Sequence, residues 1–122
     1  FIKKNKYSKI FYSMGRINYL STLKHVNLLI GNSSSGIIEA PSVNTPSINL
    51  GDRQKGRICG SSVINIEFNK KLIKKNIKKI LLVNKKNKII NPYFQKNTSR
   101  KIISVLKNIK IKNTVKKKFI DI

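Results

Sequence analysis

Apolar positions fall into short continuous runs in the first half of the chain and into spaced stripes in the second. The run Leu28-Leu29-Ile30 predicts a strand buried on both faces, since nothing polar interrupts it. Pro46–Leu50 and Val63–Ile66 predict two more strands, and Lys9–Ser13 a short one before them. Tyr19, Leu20, Leu23 and Val26 recur at helical spacing, so residues 18–26 predict a helix, with Asn18 placed to cap it. Residues 36–44 predict another, short or kinked because Pro41 has no N–H to give. The clearest stripe is in residues 70–83. There Ile73, Ile77, Ile80 and Leu81 form one face, and Lys70, Lys71, Lys74, Lys75, Lys78 and Lys79 form a solvated opposite face. Ile102, Ile103, Leu106 and Ile109 mark a last helix over residues 97–109. Loops are expected from Gly51 to about Ser62 and over Asn84–Lys88, with a turn at Asn91-Pro92-Tyr93. From Lys110 the chain reads as a basic, weakly structured tail.

Strands alternating with helices over short connections predict an α/β fold, a Rossmann-like parallel sheet with flanking helices on both faces. In such sheets ligands sit beyond the carboxyl ends of the strands. Two glycine-bearing loops, residues 31–36 and 51–57, fall at that edge.

Composition changes this picture little. The 122 residues suffice for one domain with a modest core, and the first residue is Phe1, so a longer parent protein is expected. Its formal charge is +23. Nine Lys/Arg and two acids lie in residues 1–60, against eighteen and two in residues 61–122. Only four of the 27 basic residues are Arg, and Lys, Ile and Asn make up 59 positions, the mark of AT-rich coding. A phosphate-reading surface would use more Arg for its paired hydrogen bonds. The balance therefore speaks against nucleic acid as the partner, although a basic nucleic-acid-binding module stays open as an alternative. No stretch approaches the ~18 continuous apolar residues of a membrane span, and the basic N-terminus lacks the apolar run of a signal peptide. Cys59 has no second cysteine to pair with, which makes a reducing, cytoplasmic setting the expectation. Cys59 and His25 are too few for a metal site, and His25 reads as the end of a helix.

The candidate chemistry lies in the two loops. Gly31-Asn32-Ser33-Ser34-Ser35-Gly36 joins a strand to a helix start, where unpaired N–H groups and the helix dipole seat phosphate or carboxylate. It matches neither the Walker A nor the Gly-x-Gly-x-x-Gly pattern, and it lacks the hydrolase Gly-x-Ser-x-Gly elbow. Alone, such a turn is more often an ordinary helix cap. Glu39, one turn on, could take sugar hydroxyls beside a bound phosphate. The second loop, Gly51-Asp52-Arg53-Gln54-Lys55-Gly56-Arg57, could close over a diphosphate with its basic residues, or could be a surface loop with Asp52 paired to Arg53 or Arg57. Only Glu39, Asp52, Glu67 and Asp121 are acidic, so no complete general acid/base set is visible.

Ser13-Met14-Gly15-Arg16 through Leu20, the run from Gly31 to Ser42, Pro46–Leu50 and Gly51–Arg57 together resemble the UDP-N-acetylglucosamine 2-epimerases. The likeness is greatest to the hydrolysing branch that serves sialic-acid-type sugars. Asn91-Pro92-Tyr93 also resembles that family's segment before its last helix, with Phe94 where glycine is usual. The resemblance spans about residues 10–107. It implies the C-terminal half of a GT-B fold, with residues 1–109 a UDP-binding domain, residues 110–122 a basic tail and the N-terminal half of the enzyme missing. It further implies that Ser33 and Ser34 hold the diphosphate, that Ser35 and Gly36 offer backbone N–H groups, that Glu39 binds the ribose hydroxyls and that Arg53 contacts phosphate. Gly15-Arg16 stands near where the uracil would lie. The family's catalytic carboxylates and histidine would lie upstream, leaving none here, and no metal or redox cofactor is implied. The expected ligand is a UDP-sugar, and a homo-oligomer is left open. The donor half of a GT-B glycosyltransferase is the alternative enzyme reading, and a truncated gene product without activity stays open beside it.

Overall fold

The computed structural model describes residues 2–82 and 89–109. After a single 3₁₀ turn at Ile2–Lys4, the order is α1 (Gly15–His25), β1 (Leu29–Gly31), α2 (Ser35–Ser42), β2 (Ser47–Leu50), β3 (Val63–Ile66), α3 (Lys70–Leu82) and α4 (Thr98–Asn108). The three strands form one parallel sheet in the order β1-β2-β3. Leu29 lies opposite Ser47, which lies opposite Val63, and Gly31 opposite Asn49, which lies opposite Asn65. This is the Rossmann-like α/β arrangement that the alternation of runs and stripes predicts.

The core is small and centred on α2. Ile37 and Ala40 from α2, Ile48 from β2, Ile66 from β3 and Leu23 from α1 are its buried apolar residues. The helix packs across all three strands and also meets α1. Gly36 faces the sheet, where a Cβ would make ordinary van der Waals contact with Ser47 at 3.6 Å and Leu29 at 3.8 Å. Ser47 Oγ donates to the Gly36 carbonyl at 2.5 Å, fixing the start of α2 on β2. At its other end α2 stops in a Schellman motif. Thr45 N donates to Ala40 O and Asn44 N to Pro41 O, with Asn44 left-handed at φ 61°. Thr45 Oγ1, buried, then donates to Leu23 O at 2.7 Å and ties this corner to α1.

Three expectations are corrected. Lys9–Ser13 is not a strand: it has no ladder partner among the described residues, and Ile10, Phe11 and Tyr12 are exposed. A short apolar run takes strand geometry only beside another strand. Helix α1 begins three residues before Asn18, because Ser13 Oγ accepts the Gly15 N–H at 3.3 Å and opens the helix there. Asn18 thus lies inside the first turn and caps nothing. Strand β1 is not buried on both faces. Among the described residues it is one of the sheet's two edge strands, and Ile30 is 42% exposed, although Leu29 faces α2. The last strip of β-structure and the long helices match closely: Val63–Ile66 agrees to the residue, Lys70–Leu82 starts where expected, with the expected end at residue 83 outside the described residues, and Thr98–Asn108 is one residue shorter at each end. Helix α3 is capped by Asn69, whose Oδ1 accepts the N–H groups of Lys71 and Leu72 at 2.9 and 3.1 Å. Neither α3 nor α4 has a fully buried residue, and Ile73, Ile77 and Ile80 of α3 are half-buried. The expected loop at Asn84–Lys88 and the basic tail over residues 110–122 lie outside the described residues.

Candidate functional site

The parallel register puts the carboxyl ends of β1 and β2 side by side, so the serine turn and the second loop leave the sheet at one edge. They are also joined directly. Gln54 Nε2 donates to the Asn32 carbonyl at 2.8 Å, across 22 positions of sequence.

Within the serine turn the four candidates are not equivalent. Ser33 is exposed and Ser34 half-buried at the mouth, while Ser35 and Gly36 are buried as the first residues of α2. The turn uses its own atoms to close: Ser33 Oγ accepts the Ser35 N–H at 3.3 Å, and Ser33 O accepts the Gly36 N–H at 3.1 Å. Ser34 O takes the N–H groups of Ile37 and Ile38. The Ser35 hydroxyl is committed as well, to the phenol of Tyr19 on α1. What remains open among the described residues is the pair of amides of Ser33 and Ser34 with the Ser34 hydroxyl. Two consecutive amides at the start of a helix have the chemistry to take an anion. Glu39 is half-buried one turn further on, and its carboxylate has no partner among the described residues.

The second loop is built to expose its cations. Gly51 enters it at φ 71°, a conformation that suits glycine, and its N–H donates to Ile66 O at 2.9 Å. Two tight turns follow, closed by Lys55 N to Asp52 O and Arg57 N to Gln54 O. Arg53, Lys55 and Arg57 are exposed, and Asp52 pairs with neither arginine. The loop leaves through Ile58, whose carbonyl accepts the Tyr93 hydroxyl at 2.9 Å. Tyr93 belongs to a strap that holds the back of α2, where Asn91 Nδ2 donates to Ser42 Oγ at 2.7 Å and Ile90 exchanges hydrogen bonds with Ser61. A shallow groove of about 400 Å³ lies along the start of α1, lined by Phe11, Ser13, Met14, Asn18, Ser21 and Thr22. It includes neither Gly15 nor Arg16.

Sequence reasoning named residues of this edge, exposed and buried alike, and missed its ties. Tyr19 reads as one apolar position of a stripe, and Gln54 as one polar residue in a basic loop. The position of Tyr19 sixteen residues before Ser35 carries no signal by itself. A neutral amide between Arg53 and Lys55 does stand out, because it brings neither charge nor a turn conformation to the loop.

The sequence profile of the UDP-N-acetylglucosamine 2-epimerases matches residues 1–107. The chain belongs to this family. Among relatives of the epimerase chain, polysialic acid biosynthesis protein P7 of Escherichia coli is 40% identical over 130 residues, covering 100% of this chain and 32% of that protein. The GDP/UDP-N,N'-diacetylbacillosamine 2-epimerase (hydrolyzing) of Campylobacter jejuni is 47% identical over 70 residues, 57% of this chain and 18% of its own length. The UDP-N,N'-diacetylbacillosamine 2-epimerase (hydrolyzing) of Legionella pneumophila is 32% identical over 108 residues, 88% and 28%. This epimerase-family chain thus spans a third or less of the length of the curated relatives it matches. No helix among its described residues is long and apolar enough to cross a membrane.

Proposed function

We propose that this chain is the UDP-binding part of a hydrolysing UDP-sugar 2-epimerase, the C-terminal half of a GT-B architecture whose cleft is completed by residues outside the chain. The observation that carries the reading is the joined edge: the open amides of Ser33 and Ser34 and the cationic loop bearing Arg53, linked through Gln54 and Asn32. In the reaction, the bond from the sugar's anomeric carbon to the diphosphate oxygen breaks as a proton leaves C2, and water then adds to the unsaturated sugar to give the C2 epimer and UDP. Negative charge grows on the departing diphosphate. Two amides at a helix N-terminus and the Arg53 guanidinium stabilise that charge as it develops, and they contribute to catalysis only so far as they hold the departing UDP better than the intact donor. The Glu39 carboxylate accepts from the ribose hydroxyls and orients the nucleoside. Proton removal and return fall to groups beyond this chain, so the 122 residues alone bind UDP and turn nothing over. Cys59, which is free, suits a reducing cytoplasmic setting.

Calorimetric titration of UDP tests the reading. Saturable binding is expected, weakened about tenfold or more by Ser34→Ala and by Glu39→Ala, since each removes a hydrogen bond to a charged group. Absence of binding, or variants equal to the wild type, sinks it. Relatives are named for both N-acetylglucosamine and N,N'-diacetylbacillosamine donors, so release of UDP from each of these sugars by the full-length protein identifies the substrate.

A further inference from the structure

Between Asp52 and Ile58, Gln54 alone is buried. It is 6% exposed, while Asp52, Arg53, Lys55, Gly56, Arg57 and Ile58 all lie open to solvent. Its Nε2 bonds the Asn32 carbonyl, and that bond settles which way the amide faces, since the reverse orientation would set two oxygens against each other. The consequence is that Oε1 is buried with no hydrogen-bond partner. A buried unpaired acceptor costs stability, and an apolar side chain of the same length would avoid that cost. Packing therefore does not explain an amide at this position.

Its connections offer another account. Gln54 follows Arg53 directly, and Asn32 precedes Ser33 directly, so one hydrogen bond fixes the relative position of the two segments proposed to grip the diphosphate. Apart from this bond, the ties recorded for the second loop lie at its two ends, Gly51 N to Ile66 O at entry and the Tyr93 hydroxyl to Ile58 O at exit. Without the central tie, Arg53 would sit on a loop free to swing away from the turn, and binding would have to order it. We propose that Gln54 is a positioning residue that clamps the Arg53 loop onto the serine turn, so that both meet one diphosphate. The inference rests on the UDP-binding reading given above.

Gln54→Met tests it in the full-length protein, because methionine keeps length and volume while removing the donor and the unpaired acceptor. The expected result is a melting temperature equal to or above the wild type, together with about tenfold weaker UDP binding. Affinity for uridine, which has no phosphate, stays unchanged. In an Arg53→Ala background the same substitution weakens UDP binding less than twofold, since the residue it positions is gone. Gln54→Glu, which sets a carboxylate against the Asn32 carbonyl, weakens UDP binding at least as much. Wild-type UDP affinity in Gln54→Met overturns the inference, as does an undiminished effect in the Arg53→Ala background or an equal loss for uridine. If the wild type itself binds no UDP, the functional reading falls and the clamp with it. A wild type that binds while Gln54→Met is unaffected removes the clamp alone.

Discussion

Helices α2 and α4 invert what their sequences suggest. The α4 sequence carries an apolar stripe, Ile102, Ile103 and Leu106, yet each of these residues is at least half exposed. The α2 sequence is eight residues long, contains a proline and has a serine and a glycine in its first turn, yet five of its residues are buried. The difference lies in what stands opposite. Helix α2 lies over three strands and against α1. An apolar stripe states that a helix can bury one face; burial itself depends on a surface being present to receive it.

The sharpest way to break this comparison is to remove atoms from each region and compare the costs. Ile48 on the central strand is 1% exposed. Ile48→Ala is expected to lower unfolding free energy by about 2–5 kcal/mol, the usual cost of a buried cavity, as read by denaturant titration. A cost below about 1 kcal/mol would show that the sheet and α2 do not form the stable unit of the protein.

The same contrast explains what could be read from residues alone. Strand Val63–Ile66 and helix Lys70–Leu82 were legible because each pattern is local: a β-branched run between turn residues, and a lysine face opposite an isoleucine face. The serine turn was legible as a strand-to-helix turn because residue types and their order carry that signal. The division of labour inside it was not, since the commitment of the Ser35 hydroxyl to Tyr19 and of the Gly36 carbonyl to Ser47 depends on contacts 16 and 11 residues apart. Lys9–Ser13 misled for a related reason, as its apolar residues satisfy a strand pattern without a neighbouring strand to pair with. Gln54 was hidden by its neighbours, whose exposure and charge describe the loop well and describe that one side chain wrongly.

A middle-sized effect is expected at the corner between the two helices that do pack. Thr45→Val keeps the shape of the side chain and removes the hydroxyl that donates to Leu23 O. The buried carbonyl loses its side-chain donor, at an expected cost of about 1–2 kcal/mol. Amide exchange sharpens the reading: protection should fall in α1 as well as at the end of α2, because the bond joins them. A loss confined to α2 would mean that α1 is held by its apolar contacts alone.

The smallest effect is expected on α4. Leu106 is 64% exposed, so Leu106→Ala in the 122-residue chain should change stability by less than about 0.5 kcal/mol, in line with other surface substitutions. Alanine's higher helix propensity offsets part of even that loss. The measurement is informative because the stripe would lead one to expect the opposite. If Leu106→Ala cost as much as Ile48→Ala, α4 would be packed against something in solution, and the contrast between the two helices would belong to the isolated chain. A null effect beside a large one at Ile48 would instead confirm that amphipathic patterning and burial are separate properties here, the first written into each helix and the second conferred by the sheet beneath α2.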